Sequence, residues 1–186
     1  MLHFVALAEL ILCWCVWAVA FLKPRKQAAG QKEVVRASAS RWGIFLVALG
    51  FALVWMQVRP AAFQKSAASL IASMVLAPPS VLVAWMATRH LGKQWRYQAA
   101  ISEGHELIRP GPYAWIRHPI YASMFGMLLA AGFCLTWWPM FIAGIVAFVA
   151  GTEIRIHAEE RLLAERFGET FAAYRASTPA YIPFLR

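Results

Sequence analysis

Apolar residues run along the chain in four long stretches, with the polar residues gathered between them. Residues 4–22 are interrupted only by Glu9, and residues 42–58, 66–88 and 119–152 carry no charge. A helix needs roughly 20 apolar residues to cross a hydrocarbon core about 30 Å thick. The first three stretches fit that length. The fourth has 34 residues and as one helix would be about 51 Å long, so it is expected to fold back on itself. Thr136-Trp137-Trp138-Pro139 is the place for the turn, because proline breaks the helix there and paired tryptophans favour a membrane interface. The pattern therefore predicts five helices, the last two forming a hairpin. Pro78-Pro79 falls in the middle of the third stretch and predicts a kink there. Glu9 is read as neutral or paired with a polar group inside the bundle. No internal repeat or low-complexity segment is present.

Composition sharpens this picture. Hydrophobic residues make up 61% of the 186 positions and charged residues 15%, with a mean hydropathy of +0.55. Soluble domains are about 45–50% apolar and about 25% charged, so the chain is expected to be one all-α integral membrane unit spanning 1–186. Residues 1–88 would supply three N-terminal spans and 89–186 the half that carries chemistry. The net charge of +9 does not call for nucleic acid, because lysine and arginine collect in cytoplasmic loops for topological reasons. Basic residues lie in three segments, 23–41, 89–118 and the tail from 153, whereas only Arg59 and Lys65 lie between the second and third stretches. Five spans put the three basic segments on one side, which predicts the N-terminus outside and the C-terminus in the cytoplasm. Four spans would split them. The first stretch lacks a basic flank before it and reads as a retained span. Cys13, Cys15 and Cys134 all sit in apolar runs and read as small buried hydrophobes.

The chemistry-bearing residues concentrate beyond residue 88. The segment 89–118 is polar, aromatic and rich in proline and glycine, as functional loops at a membrane face are. Pro110-Gly111-Pro112 predicts a turn, and Pro119 suits the first position of a helix. His118 then stands at that helix's N-terminus, where free N–H groups favour an anion. Further on, Arg155 and Glu159 are four residues apart and share a helix face, which by itself predicts no more than an ion pair. Phe167-Gly168 predicts a helix end with a glycine cap, Phe171 and Tyr174 predict a short docked helix, and the closing residues 178–184 read as an extended piece able to fold over a pocket. His105, His118 and His157 lack metal-ligand spacing. No GxGxxG or P-loop occurs, and with no aspartate in the chain a serine-hydrolase triad is disfavoured.

In this order the motifs resemble the isoprenylcysteine carboxyl methyltransferase family, whose wider circle includes the membrane phospholipid methyltransferases. The residues that carry the resemblance are Leu91-Gly92-Lys93-Gln94-Trp95, His105-Glu106-Leu107-Ile108, Gly111-Pro112-Tyr113 and Arg117-His118-Pro119-Ile120-Tyr121. They continue with Arg155, Glu159, Glu160 and Leu163, then Phe167-Gly168 with Phe171 and Tyr174, and a closing Pro179 to Pro183. Residues 1–88 match only as spans of suitable length.

The resemblance implies a cytoplasmic pocket built from the 89–118 loop and the C-terminal helices, with S-adenosylmethionine as methyl donor. Carried over by motif, cofactor contacts would be Gln98, His105, Glu106, Leu107, Ile108, Tyr113, His118, Pro119, Ile120, Tyr121 and Glu159. Arg155 would face the substrate, a lipophilic or prenylated molecule whose carboxylate it clamps with a planar fork. A carboxylate is already ionised at neutral pH and needs no base. An amine or thiol acceptor, as in the lipid-methylating relatives, must lose a proton, and Glu160 or His157 would then matter. A non-catalytic membrane binding protein that keeps the family shell is the remaining alternative. Beyond membrane lipids no partner is implied, and the oligomeric state is open.

Overall fold

A computed structural model describes residues 1–22, 33–36, 40–56, 60, 63–92, 100–102 and 106–181. Among these, six α-helices form the framework: α1 (Leu2–Leu22), α2 (Ser40–Trp55), α3 (Ala67–Leu91), α4 (Pro119–Leu135), α5 (Trp138–Phe167) and α6 (Glu169–Ser177). Three of them, α1, α3 and α5, are long and apolar enough to cross a membrane, while α2 and α4 are apolar but shorter. The 34-residue stretch does fold back: α4 stops at Leu135 and α5 starts at Trp138. Ser66 opens α3, its hydroxyl accepting from the Ser69 N–H at 3.2 Å, and Gly92 closes it at a φ of 53°. Through Pro78-Pro79 α3 runs on without a break in helical structure. The Ser80 hydroxyl reaches back to the Leu76 carbonyl at 2.7 Å, so a side chain within the same helix supplies a bond beside the prolines.

Small residues decide how the helices meet, as they must where lipid removes the hydrophobic drive for association. α3 buries Ser69, Ser73, Ala77, Ser80, Ala84 and Ala87 and packs chiefly against α4, which answers with Ala130, Ala131 and Cys134. α1 lies against α3 and α4. α5 leaves its hairpin partner to pack mainly on α2. There Gly43 faces Gly151, and a Cβ on Gly151 would lie 2.7 Å from the Gly43 carbonyl oxygen. Gly50 faces Gly144 with the same 2.7 Å approach. Phe148 and Phe141 fill the middle, with Met127, Leu128, Leu10 and Val54 around them. Of the three cysteines only Cys134 is buried; Cys13 is half-buried and Cys15 is exposed, so the reading of all three as buried hydrophobes holds for Cys134 alone.

The two ends of the bundle differ in chemistry. At one end Lys65 donates to the carbonyls of Gly132 and Thr136 at 2.8 and 2.5 Å, so its charge meets the carbonyl end of α4. At the other end a two-stranded antiparallel ribbon joins β1 (Glu33–Arg36) to β2 (Ala100–Ser102), pairing Val35 with Ile101. This ribbon is an addition to the all-helical expectation, and it ties the loop after α1 to the loop after α3. α5 continues past its apolar part, which ends at Thr152, into a charged extension that carries α6. Two of the three basic segments are thus joined through the ribbon, and β2 also contacts α5.

Candidate functional site

The site is assembled where α4 begins. Pro110-Gly111-Pro112 enters a short 3-10 turn, Gly111–Ala114, with Gly111 at a φ of 65°. The His90 ring lies where a Cβ on Gly111 would be, so glycine is required there on two counts. Tyr113 is buried, and its carbonyl accepts from the Tyr174 hydroxyl of α6 at 2.6 Å. Pro119 then takes the first helical position, as expected, with His118 as the flanking residue.

The N–H groups of Arg117 and His118 are not left for a ligand. They donate to the carbonyls of Pro179 and Ala180 at 2.8 and 2.7 Å, so the chain after α6 is strapped across the start of α4. The buried Arg117 guanidinium reinforces this. It donates to the Arg175 carbonyl at 3.1 Å and to the Thr178 carbonyl, and it reaches Glu160 Oε1 through Nε at 2.9 Å and Nη2 at 2.7 Å. His118 Nε2 lies 3.2 Å from the same Glu160 oxygen, and Arg175 lies 3.4 Å from the other. Farther along, the Tyr181 hydroxyl donates to Glu153 at 2.6 Å.

One residue before Glu160, a second group forms. Arg155 Nε donates to the Tyr121 hydroxyl at 2.7 Å, and that hydroxyl donates to Glu159 Oε1. Arg155 Nη2 stands 3.5 Å from the same oxygen, and His118 Nδ1 stands 3.6 Å from Glu159 Oε2. Arg155, Tyr121 and His118 are buried, whereas the Glu159 side chain keeps 25% of its surface exposed. Glu159 is therefore the more open of the two neighbouring carboxylates, Glu160 keeping only 6%. The stem of Arg155 is wedged against α2: a Cβ on Gly43 would lie 2.5 Å from Arg155 Cγ.

Electrostatics separate the two glutamates. Burial alone would raise the pKa of Glu160, which lies beyond the apolar part of α5. Hydrogen bonds from His118 and Arg117 outweigh burial and bring it down to about 2. For His118 burial works against the charged form, and the hydrogen bonds to Glu159 and Glu160 overcome it, raising its pKa. The imidazole is thus held toward the cation between two carboxylates. Tyr174, buried near Arg117 and Arg109, is pushed up to about 12, with burial the larger influence.

Of the residues singled out in the sequence, four are brought together: His118, Tyr121, Arg155 and Glu159. Pro119 and Ile120 form the helix start beside them, Pro119 buried and Ile120 half-buried. Tyr113 is held toward α6. Glu106 is exposed, and Leu107 and Ile108 are half-buried on the approach to the turn. Gln98 and His105 lie outside the described residues. The helix start at His118 was expected to favour an anion; the His118 N–H itself is taken by the Ala180 carbonyl. In the first turn of α4 the remaining N–H groups without an i−4 helical acceptor belong to Ile120 and Tyr121. Sequence reasoning passed over Arg117 and Gly43. Arg117 sits inside the Arg-His-Pro motif, and its basic charge beside a helix start was the available signal. Gly43 offered none beyond a glycine in an apolar run.

Comparison with known proteins agrees with this part of the chain. Residues 70–165, from α3 through most of α5, match the isoprenylcysteine carboxyl methyltransferase (ICMT) family. A Protein-S-isoprenylcysteine O-methyltransferase of Xenopus laevis is 29% identical over 96 residues, 46% of this chain and 30% of that one. The Homo sapiens protein of the same name is 28% identical over 96 residues, again 30% of its length. The uncharacterized protein YpbQ of Bacillus subtilis (strain 168) is 26% identical over 128 residues, covering 66% of this chain and 69% of its own. The matched region thus spans under a third of the two named enzymes. The family match covers just over half of the chain and contains the Tyr121–Arg155–Glu159 cluster, and on it the chain belongs to the isoprenylcysteine carboxyl methyltransferase family.

Proposed function

We propose that the chain is a multi-pass membrane methyltransferase. It uses S-adenosylmethionine to methylate a lipophilic acceptor at the cytoplasmic face, and the favoured acceptor is the carboxylate of an isoprenylcysteine-type molecule. The observation that carries the reading is the buried Arg155 held beside Glu159 on residues within the family match. The donor set suits the cofactor: a part-exposed carboxylate at Glu159 for an ammonium, and the Ile120 and Tyr121 N–H groups at a helix start for a carboxylate. Bound there, S-adenosylmethionine would supply an electrophilic methyl group on a positive sulfur, with a neutral thioether as the leaving group. The chain's own work is alignment and exclusion of water. Arg155 presents a cationic fork to the acceptor carboxylate. The strap of residues 178–181, fixed by Arg117, covers the start of α4. Gln98, His105, Glu106, Leu107, Ile108, Tyr113, His118 and Pro119 complete the proposed cofactor contacts, with His118 acting by placing Glu159.

The state of the candidate bases favours a carboxylate acceptor. Glu160 is committed to three cationic partners, and with a pKa of about 2 it is a poor proton acceptor. The His157 side chain is 64% exposed and paired with Glu153 on its own helix. The proposed topology counts α2 and α4 as spans as well, five in all, with the basic segments and the C-terminus cytoplasmic. A reporter fused after Arg186 is then cytoplasmic; finding it on the far side refutes the arrangement. The activity is tested with labelled donor and three acceptors, an S-prenylated cysteine carboxylate, a phospholipid amine and a lipophilic thiol. Methyl ester formation that drops about tenfold or more in Arg155→Lys supports the reading. Methylation of the amine or thiol alone overturns the acceptor class.

A further inference from the structure

We propose that the hydroxyl of Tyr121 is a positioning group that fixes the orientation of Arg155 toward the acceptor. This goes beyond the ring contact implied by the family motif, and it rests on the reading of Arg155 as the acceptor's anchor. Arginine has the longest flexible side chain available for this task, and an unanchored guanidinium samples many rotamers. A reaction that depends on in-line alignment needs one of them. The Arg155 stem is stopped against Gly43 of α2, which leaves the head to be fixed. Tyr121 does this from the first turn of α4, with an oxygen 2.7 Å from Nε.

The polarity of the link is fixed by chemistry. A guanidinium N–H can only donate and an ionised carboxylate can only accept. A hydroxyl between them must therefore accept from Arg155 and pass its single proton toward Glu159. The direct contact between Arg155 Nη2 and Glu159 is 3.5 Å, beyond a good hydrogen bond, so the hydroxyl is the tighter connection. The phenol ring is a rigid arm with two torsions, buried and packed 5.9 Å from the His118 ring. The same oxygen thereby ties the group proposed to meet the acceptor to the first turn of α4.

The test is Tyr121→Phe in the full chain, which deletes one oxygen and keeps the ring. kcat/KM for the S-prenylated cysteine carboxylate should fall by about tenfold, clearly more than the loss of S-adenosylhomocysteine affinity read by calorimetry, because the hydroxyl acts chiefly through Arg155; equal falls in both overturn the proposal. In an Arg155→Lys background the same change should cost less than about threefold, because the hydroxyl acts through the guanidinium. Equal, additive losses in both backgrounds, or wild-type kinetics, overturn the proposal. A parallel readout needs no turnover. The Arg155 Nε–H resonance, identified by its loss in Arg155→Lys, should move or vanish in Tyr121→Phe, and an unchanged resonance overturns the proposal. If the wild-type chain methylates none of the acceptors while this resonance responds as expected, the functional reading fails and the positioning link stands.

Discussion

Gly43 touches no proposed ligand, yet replacing it with alanine should damage the reaction more than the fold. The added Cβ would lie 2.5 Å from Arg155 Cγ and 2.8 Å from the Gly151 carbonyl oxygen. The second obstacle is backbone, so the strain falls on the side chain, and Arg155 must swing. Overpacking of this kind costs about 1–3 kcal/mol, and the better helix propensity of alanine returns about 1 kcal/mol. The net loss of stability is then between about 0 and 2 kcal/mol. A shift of the guanidinium by about 1 Å can cost about a hundredfold in rate. Gly50→Ala is the matched control, with a Cβ 2.7 Å from the Gly144 carbonyl and 3.0 Å from Phe148 Cβ. It overpacks the same α2–α5 seam two turns away from the site. Methyl transfer and unfolding, both measured in detergent, should show similar stability for the two variants, with Gly43→Ala about a hundredfold slower and Gly50→Ala within about threefold of wild type. Equal slowing in both would mean that seam packing matters in general and that Gly43 has no special relation to Arg155.

Glu159→Gln keeps the shape of the side chain and removes its charge, so cofactor affinity should fall by about tenfold or more; calorimetry showing no change would remove Glu159 from the proposed cofactor site. Arg117→Met leaves Glu160 buried without its main counter-charge and should destabilise the fold by about 3–5 kcal/mol, most visibly as lost protection of the strap; a variant as stable as wild type would contradict the lock. The lock also predicts a pH window. Glu160 has a depressed pKa, so its contribution is complete above its ordinary value of 4.5 and is lost as pH falls toward about 2. His118 has a raised pKa, so its contribution is complete below its ordinary 6.5 and is lost as pH climbs through the raised value. Protection factors of the Arg117 and His118 amides should therefore be highest between about pH 4.5 and 6.5; protection that stays flat into the alkaline range would refute the linkage.

The helices could be read from the sequence because charge is so costly in lipid that its absence marks each span. The fold-back after Thr136 and the glycine cap at Gly168 followed from local chemistry, and the structure has both. The four clustered site residues were also legible, since each lies in a short motif tied to a helix start or a helix face. What could not be read was how distant segments meet. Gly43 is separated from Arg155 by most of the chain, and only the pairing of α2 with α5 gives it meaning. The ribbon between β1 and β2 depends on two short segments finding each other across the bundle end, and neither carries a strand signal strong enough alone. Nor could the helix-terminus argument show that the strap takes the N–H groups of Arg117 and His118.

The neighbouring glutamates 159 and 160 show why the site has two halves. Adjacent residues on a helix point about 100° apart, so one acidic pair serves two directions. Glu160 turns inward to Arg117, His118 and Arg175 and holds the strap against α4. Glu159 turns toward Tyr121 and Arg155 and keeps part of its surface open. His118 stands between them, one ring nitrogen toward each. If it loses its proton, both carboxylates lose a cationic neighbour together. The strap and the proposed reacting groups are therefore joined through one imidazole, and a change that frees the strap must also alter the charge around Glu159. The Arg-His-Pro-x-Tyr run therefore serves the junction as a whole: Arg117 for the strap, His118 for the bridge, Pro119 for the helix start, and Tyr121 for Arg155, the proposed anchor of the acceptor.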